Sequence, residues 1–314
     1  MGLTRAVRGV VSVVLLALAP ACSVVSGYRI AAPPTPPALP RISITSLGAG
    51  SASHWINGVA LSTMGDLKSW ETATGEHPAV VATFGRFGAR FPLHAMRQAL
   101  MARAVPLLQL DPSGTSLAAI TRGAYNRELR TYNAKIRSLN DPVFLSFGHE
   151  MNGVWYSWGC GRTSPRLFRA AWRHVHNLIS APQAIWVWTI NDIWNGDPCP
   201  LRSWYPGAAY VNWVGIDGYL RPPVDTFTSA FGRTLAVLHR LAPSKPILLA
   251  ETGVPWGPGW ARRLNSLYAG AHRAGLRGIL YFDGMTSNGD YRPQDHPAAL
   301  AAFRKLVGNG VNVP

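Results

Sequence analysis

From residue 41 onward the chain alternates between two kinds of segment. Short, unbroken apolar runs occupy Ile42–Leu47, Ala79–Phe84, Val105–Leu110, Val143–Phe147, Ala184–Thr189, Trp213–Ile216, Ile247–Ala250 and Ile279–Phe282. Strands of a parallel sheet, buried on both faces, need apolar residues at successive rather than alternate positions. Between the runs, Tyr125, Leu129, Tyr132, Ile136 and Leu139 share one helical face, as do Phe168, Ala171, Trp172, Val175, Leu178 and Ile179. Trp260, Leu264, Leu267, Tyr268 and Ala271 repeat the spacing. Pro92 and Pro165 stand at the start of such segments, where a helix has no hydrogen bond for proline to break. Eight β/α units predict an α/β fold, a single (β/α)8 TIM barrel over residues 41–314, although a doubly wound sheet gives similar alternation.

The beginning of the chain follows different rules. Arg5 and Arg8 precede an uncharged, largely apolar stretch from Val10 to Ala19, too short for a dependable membrane span and shaped like a secretory signal, so residues 1–21 are expected to be removed. Leu18, Ala19, Pro20, Ala21 and Cys22 resemble a bacterial lipobox, which implies lipid on Cys22 and a membrane-anchored envelope lipoprotein. Pro20 is uncommon in that motif, which keeps ordinary secretion open. Residues 22–40, dense in proline from Pro33 to Pro40, read as an extended tether.

Composition sharpens the functional question. Of 314 residues, 47% are apolar and 14% charged, enough apolar material for a large core, with a formal charge of +15. A basic balance of that size suits nucleic acid, a membrane surface or anionic envelope polymers. Export argues against nucleic acid, and with no block of five like charges the arginines read as a scattered, solvated surface. Twelve tryptophans exceed what packing alone usually requires, and flat aromatic rings suit stacking on sugars.

Only five glutamates exist: Glu71, Glu76, Glu128, Glu150 and Glu251. Two of them follow apolar runs, Glu150 after the fourth and Glu251 after the seventh. In a barrel the chemistry sits where strands end, and strands four and seven lie on roughly opposing sides of an eight-membered ring. Two carboxyl groups facing each other across a cleft are what glycoside hydrolysis needs: one acid to protonate the leaving oxygen, and one carboxylate to attack the anomeric carbon or activate water.

The surrounding motifs resemble glycoside hydrolase family 26, best known for endo-β-1,4-mannanases. Phe147-Gly-His-Glu-Met-Asn-Gly-Val-Trp-Tyr-Ser-Trp158 is similar to its acid/base motif, Ile185-Trp-Val-Trp-Thr-Ile-Asn191 to its fifth strand, Trp213-Val-Gly-Ile-Asp-Gly-Tyr219 to its sixth, and Lys245-Pro-Ile-Leu-Leu-Ala-Glu-Thr-Gly253 to its nucleophile strand. The resemblance implies that Glu150 is the general acid/base and Glu251 the nucleophile of a retaining mechanism. His149 would line the site, Trp155 would offer a sugar platform, and Tyr219 would hydrogen-bond the nucleophile. Trp158 is a further candidate platform. Trp186 and Trp188, two apart on a strand, share a face, so they reach the site together or pack beneath a helix together, with strand-end Trp188 the better candidate to touch sugar. Asn191 either binds a hydroxyl or caps a helix. One departure stands out: the eighth run ends Tyr281-Phe-Asp-Gly-Met, where barrel glycosidases of this kind often present a tryptophan beneath the reacting sugar.

Other chemistries lack a basis. No H-E-x-x-H, G-x-S-x-G, Walker A or G-x-G-x-x-G pattern occurs, and His174 and His176 face different directions on a helix, so neither a metal nor a cofactor is implied. Asp111, Asp217 and Asp283 also end apolar runs, but on separated strands; Asp217 is expected to order the site through hydrogen bonds. With Cys22 at the new N-terminus, Cys160 and Cys199 remain as a pair in an oxidising compartment, and the loops after neighbouring strands four and five would let them join. Together these features predict a monomeric, exported, retaining endo-glycosidase of a β-linked polysaccharide, β-1,4-mannan or glucomannan first, β-1,3-xylan or mixed-linkage glucan as alternatives. The competing class is a non-catalytic carbohydrate-binding protein on the same barrel.

Overall fold

The computed structural model describes residues 55–194 and 199–308. Eight strands, β1 (Ile56–Leu61), β2 (Val80–Arg86), β3 (Val105–Asp111), β4 (Val143–Phe147), β5 (Ala184–Asn191), β6 (Trp213–Tyr219), β7 (Ile247–Gly253) and β8 (Gly278–Asp283), pair in parallel in chain order. β8 closes on β1 with Ile56 opposite Gly278 and Leu61 opposite Asp283. Helices α1 (Leu67–Thr74), α2 (Leu93–Met101), α3 (Leu117–Thr121), α4 (Asn126–Arg137), α5 (Pro165–Leu178), α6 (Leu201–Trp204), α7 (Phe227–Leu241), α8 (Trp260–Arg273) and α9 (Pro297–Gly308) fill the crossovers. A two-stranded hairpin, β9 (Met285–Thr286) with β10 (Gly289–Asp290), follows β8. The fold is a (β/α)8 barrel.

The first strand is not the expected one. The barrel begins at Ile56-Asn-Gly-Val-Ala-Leu61, while Ile42–Leu47, the leader at 1–21, Cys22 and the tether at 22–40 lie outside the described residues. Asn57 and Gly58 dilute the apolar pattern of β1, and the glycine has a packing reason. A Cβ on Gly58 would stand 2.6 Å from the Val80 carbonyl oxygen and 2.9 Å from the Leu280 side chain, so the closing seam of the barrel needs a residue without one.

Strand parity divides the core. Inward residues such as Val105, Leu107, Phe144, Ile185, Val187 and Leu280 fill the barrel, while the alternate residues pack beneath the helices. Higher in the barrel the inward positions turn polar, with Gln109, Ser146, Thr189 and Asp217 buried on β3 to β6. That change marks the end where the chemistry sits. The helices begin where caps allow: the Ser164 hydroxyl accepts from the Leu167 N–H ahead of Pro165, and the Thr226 hydroxyl accepts from the Ser229 N–H.

Candidate active site

Glu150 and Glu251 reach the same end of the barrel by different backbone devices. Just past β4 the chain turns sharply: Gly148 has φ +59° and Glu150 itself φ +51°, a left-handed conformation that a side chain adopts at a cost. The Glu150 N–H donates to the Thr189 carbonyl at 3.0 Å, and its own carbonyl accepts from the Gly153 N–H at 2.8 Å, which holds the turn. The loop then coils on itself. The Cys160 N–H is shared between the carbonyls of Met151 and Gly153, at 2.9 Å each, and a Cβ on Gly159 would stand 2.4 Å from the Gly153 oxygen. A Cys160–Cys199 disulfide, Cα atoms 6.1 Å apart, ties this loop to the one after β5.

Glu251 lies within regular β7, where parity alone would turn it outward. Ile216 pairs with Leu249, but Asp217 pairs with Glu251, so one residue, Ala250, is extra. This bulge re-aims Glu251 to the inside, in register with inward-facing Asp217.

The polar surroundings differ as well. Burial pushes the Glu150 carboxyl up to about 7; the nearby Glu251 charge pushes the same way, against His149 and an N–H donated by Trp155 Nε1 to Glu150 Oε2 at 2.7 Å. Glu251 is raised by burial too, but the Tyr219 hydroxyl donates to its Oε1, and His149 and Arg221 also favour its ionised form. Arg221 holds its guanidinium 4.2 Å over the Tyr219 ring and donates from Nε to the Tyr291 hydroxyl at 2.7 Å, so Tyr219 is clamped in place.

His149 is buried, with Nδ1 2.7 Å from Asp111 Oδ1 and Nε2 3.2 Å from the Tyr156 hydroxyl. Burial disfavours its imidazolium, but the bond to Asp111 and the charges of Asp111, Glu150 and Glu251 outweigh that and raise its pKa. Asp217 is raised well above its ordinary value by burial, then by the charges of Glu251 and Glu150. Expected to order the site through hydrogen bonds, it has no partner for either oxygen among the described residues.

The aromatic candidates separate. Trp155 is 48% exposed, hydrogen-bonded to Glu150 and stacked at 6.2 Å on Trp194, itself well exposed. Gly153 makes room for it, since a Cβ there would meet Trp155 Cζ2 at 2.3 Å. Trp158 is 2% exposed; its Nε1 donates to the His149 carbonyl at 2.8 Å and its ring stacks on Tyr156 at 4.3 Å. It supports the site from beneath and cannot present a face to sugar. Trp188 is fully buried on the outward side of β5 with Trp186, beside Tyr205, because Ile185, Val187 and Thr189 take the inward positions. Both corrections have one cause: neighbours on every side cover these rings. Asn191, half-buried at the inward end of β5, exchanges hydrogen bonds between its backbone and the Asn152 side chain, 2.9 Å from its N–H and 2.8 Å to its carbonyl.

Sequence reasoning did not assign site roles to Asp111, Tyr156, Trp194, Arg221 and Tyr291. Asp111 at the end of β3 was the one visible signal. Phe282 faces inward at the end of β8, 6.0 Å from Tyr219 and 5.7 Å from Tyr291 by ring centroids.

Residues 121–250 match the model of glycosyl hydrolase family 26. The chain is 28% identical over 220 residues to Endoglucanase H of Acetivibrio thermocellus, covering 64% of this chain and 23% of that protein. It is 32% identical over 117 residues to mannan endo-1,4-β-mannosidase A and B of Caldalkalibacillus mannanilyticus, covering 34% and 21%. The matches thus span less than a quarter of either relative. Among solved structures, a GH26 β-mannanase from Bacteroides ovatus superposes with a TM-score of 0.67 at 16% identity, over 85% of this chain and 92% of that one, a likeness of fold.

Proposed function

We propose, from the premise that the chain belongs to glycosyl hydrolase family 26, that it is a retaining endo-glycoside hydrolase of a β-linked polysaccharide, with β-1,4-mannan or glucomannan as substrate. The observation that carries this reading is the contrast between two half-buried glutamates, one in the turn after β4 and one on β7. Glu150 is held up to about 7, and Glu251 takes a hydroxyl donor from Tyr219. Groups whose environments differ in this way divide the acid and base roles.

In the first step Glu150 gives its proton to the glycosidic oxygen as that bond breaks, and the Glu251 carboxylate bonds to the anomeric carbon. In the second, Glu150, now ionised, takes a proton from water. The water oxygen bonds to the anomeric carbon and releases Glu251. Trp155 donates to the ionised Glu150, so its bond strengthens once the proton has left. Tyr219 keeps Glu251 aimed, Arg221 and Tyr291 keep Tyr219 aimed, and the Asp111–His149–Tyr156 chain fixes the imidazole beside the acid.

The carbohydrate-binding alternative has no use for such unlike carboxyl environments. A different backbone, β-1,3-xylan or mixed-linkage glucan, draws support from the likeness to Endoglucanase H and from Phe282 standing where a tryptophan is common. Incubation with galactomannan, glucomannan, β-1,3-xylan and mixed-linkage glucan, followed by NMR of the first products, tests the whole reading. Cleavage of a mannan with the β-anomer appearing first is expected. Cleavage of xylan or glucan alone would reassign the substrate, first appearance of the α-anomer would replace retention with inversion, and cleavage of none would leave a binding protein. The lipobox-like run Leu18-Ala-Pro-Ala-Cys22 supports an envelope enzyme anchored by lipid on Cys22, with ordinary secretion as the alternative; mass spectrometry of the mature N-terminal peptide should find a diacylglyceryl group on Cys22, and an unmodified N-terminus would refute that anchor.

A further inference from the structure

The mechanism above leaves one prominent aromatic unused. Trp256 follows Glu251 by five residues on the loop after β7 and is 43% exposed, although nothing in barrel packing requires an indole there. It is nevertheless held firmly. His296 lies nearly parallel against one face of the ring, with centroids 4.6 Å apart and planes 11° apart. His296 Nε2 is 3.1 Å from Asp290 Oδ2, Asp290 takes two hydrogen bonds from the Arg292 guanidinium at 2.9 and 3.1 Å, and Arg292 pairs with Asp295 at 2.9 Å. The Trp256 N–H donates to the Asp290 carbonyl at 2.7 Å, so backbone and ring are fixed by one short segment.

We infer that Trp256 is a sugar-stacking platform, a distal subsite for a pyranose of the same glycan chain, on a different sector of the barrel rim from Trp155. The inference rests on the glycan-hydrolase reading above. Stacking uses the apolar C–H face of a pyranose against a flat ring, and a ring already immobilised loses little freedom when the sugar arrives. His296 stacks on one face and the Trp260 ring stands 6.1 Å away at a tilt of 56°, and Trp256 still leaves 43% of its surface exposed for a sugar. The two exposed aromatic groups stand on different sectors of the same barrel rim, Trp155 and Trp194 after β4 and β5, Trp256 after β7. An endo-acting enzyme holds chain on both sides of the scissile bond, and a polymer laid between Glu150 and Glu251 has a platform on the loop that follows each glutamate.

The test is calorimetric binding of β-1,4-mannobiose and β-1,4-mannohexaose to Glu251→Ala protein, with and without Trp256→Ala or Trp256→Phe. The hexaose-to-biose affinity ratio should fall about five- to tenfold in the Trp256→Ala protein and recover largely in the Trp256→Phe protein. An unchanged ratio, or equal weakening of both glycans, would overturn the platform. Failure of the parent Glu251→Ala protein to bind either glycan would overturn the mannan reading and, with it, the mannan platform.

Discussion

The turn after β4 and the end of β7 each deliver one glutamate to the same cleft, and they do so at opposite structural cost. Glu150 sits in a left-handed conformation inside a coiled loop that needs close glycines, shared backbone donors and a disulfide to keep its shape. Glu251 sits in a hydrogen-bonded strand and needs only a one-residue bulge to face inward. The consequence is chemical. The loop buries its carboxyl and gives it one donor, Trp155, with the Glu251 charge opposing its ionisation, whereas the strand end meets a clamped tyrosine and the Arg221 charge. The group that must carry a proton is thus built on strained, braced backbone, and the group that must stay ionised and aimed is built on the rigid sheet.

The contrast can be broken from either side. The largest effect is expected at Glu251: alanine there removes the nucleophile and should lower turnover on the order of 10⁴-fold or more, on natural and activated substrates alike. Glu150→Ala should cost roughly 10²- to 10⁴-fold on polysaccharide but far less for the glycosylation step of an aryl glycoside with a good leaving group, which needs little protonation. Equal losses on both substrates would erase the distinction between the two glutamates.

The pH profile sharpens the same contrast. Activity needs Glu150 protonated, so the rate on polysaccharide should fall as pH rises through about 7, where Glu150 loses its proton. It needs Glu251 ionised, so the acid limb should lie above the ordinary glutamate range. Tyr219→Phe withdraws a donor from the ionised form. It should lower kcat by roughly ten- to a hundredfold with little change in KM and move the acid limb to higher pH, leaving the alkaline limb in place. Movement of the alkaline limb instead would mean that Tyr219 serves Glu150.

Cutting the brace should touch one side only. Cys160→Ala with Cys199→Ala should cost about 4 kcal/mol of unfolding free energy in the chain-entropy picture, from a closure of 39 residues. Because the bridge steadies the loop after β4, the variant should shift the alkaline limb more than the acid limb. Denaturant melts and pH profiles on one preparation measure both.

How much of this was legible beforehand depended on how local each signal is. Seven strands were visible because parallel strands are apolar throughout. The first was not, because Asn57 and Gly58 answer to the approach of Val80 and Leu280 at the closing seam, contacts between distant parts of the chain. Glu150 and Glu251 were legible as carboxylates ending apolar runs. The shared face of Trp186 and Trp188 was legible too, but not which face, because both sides of a barrel strand are apolar. Trp158 looked like a platform because loop tryptophans resemble one another until burial is known. Asp111, Tyr156, Arg221 and Tyr291 act through partners on other strands and loops, and no spacing along the chain announces such pairs.

The division of labour between the two glutamates is tested most directly by trapping the covalent intermediate. The enzyme would be treated with a 2-deoxy-2-fluoro-β-mannosyl fluoride, digested, and the labelled peptide sequenced by mass spectrometry. One glycosyl ester on Glu251 is the expected result. An ester on Glu150, or full turnover on mannan with no ester on either glutamate and the α-anomer formed first, would contradict it.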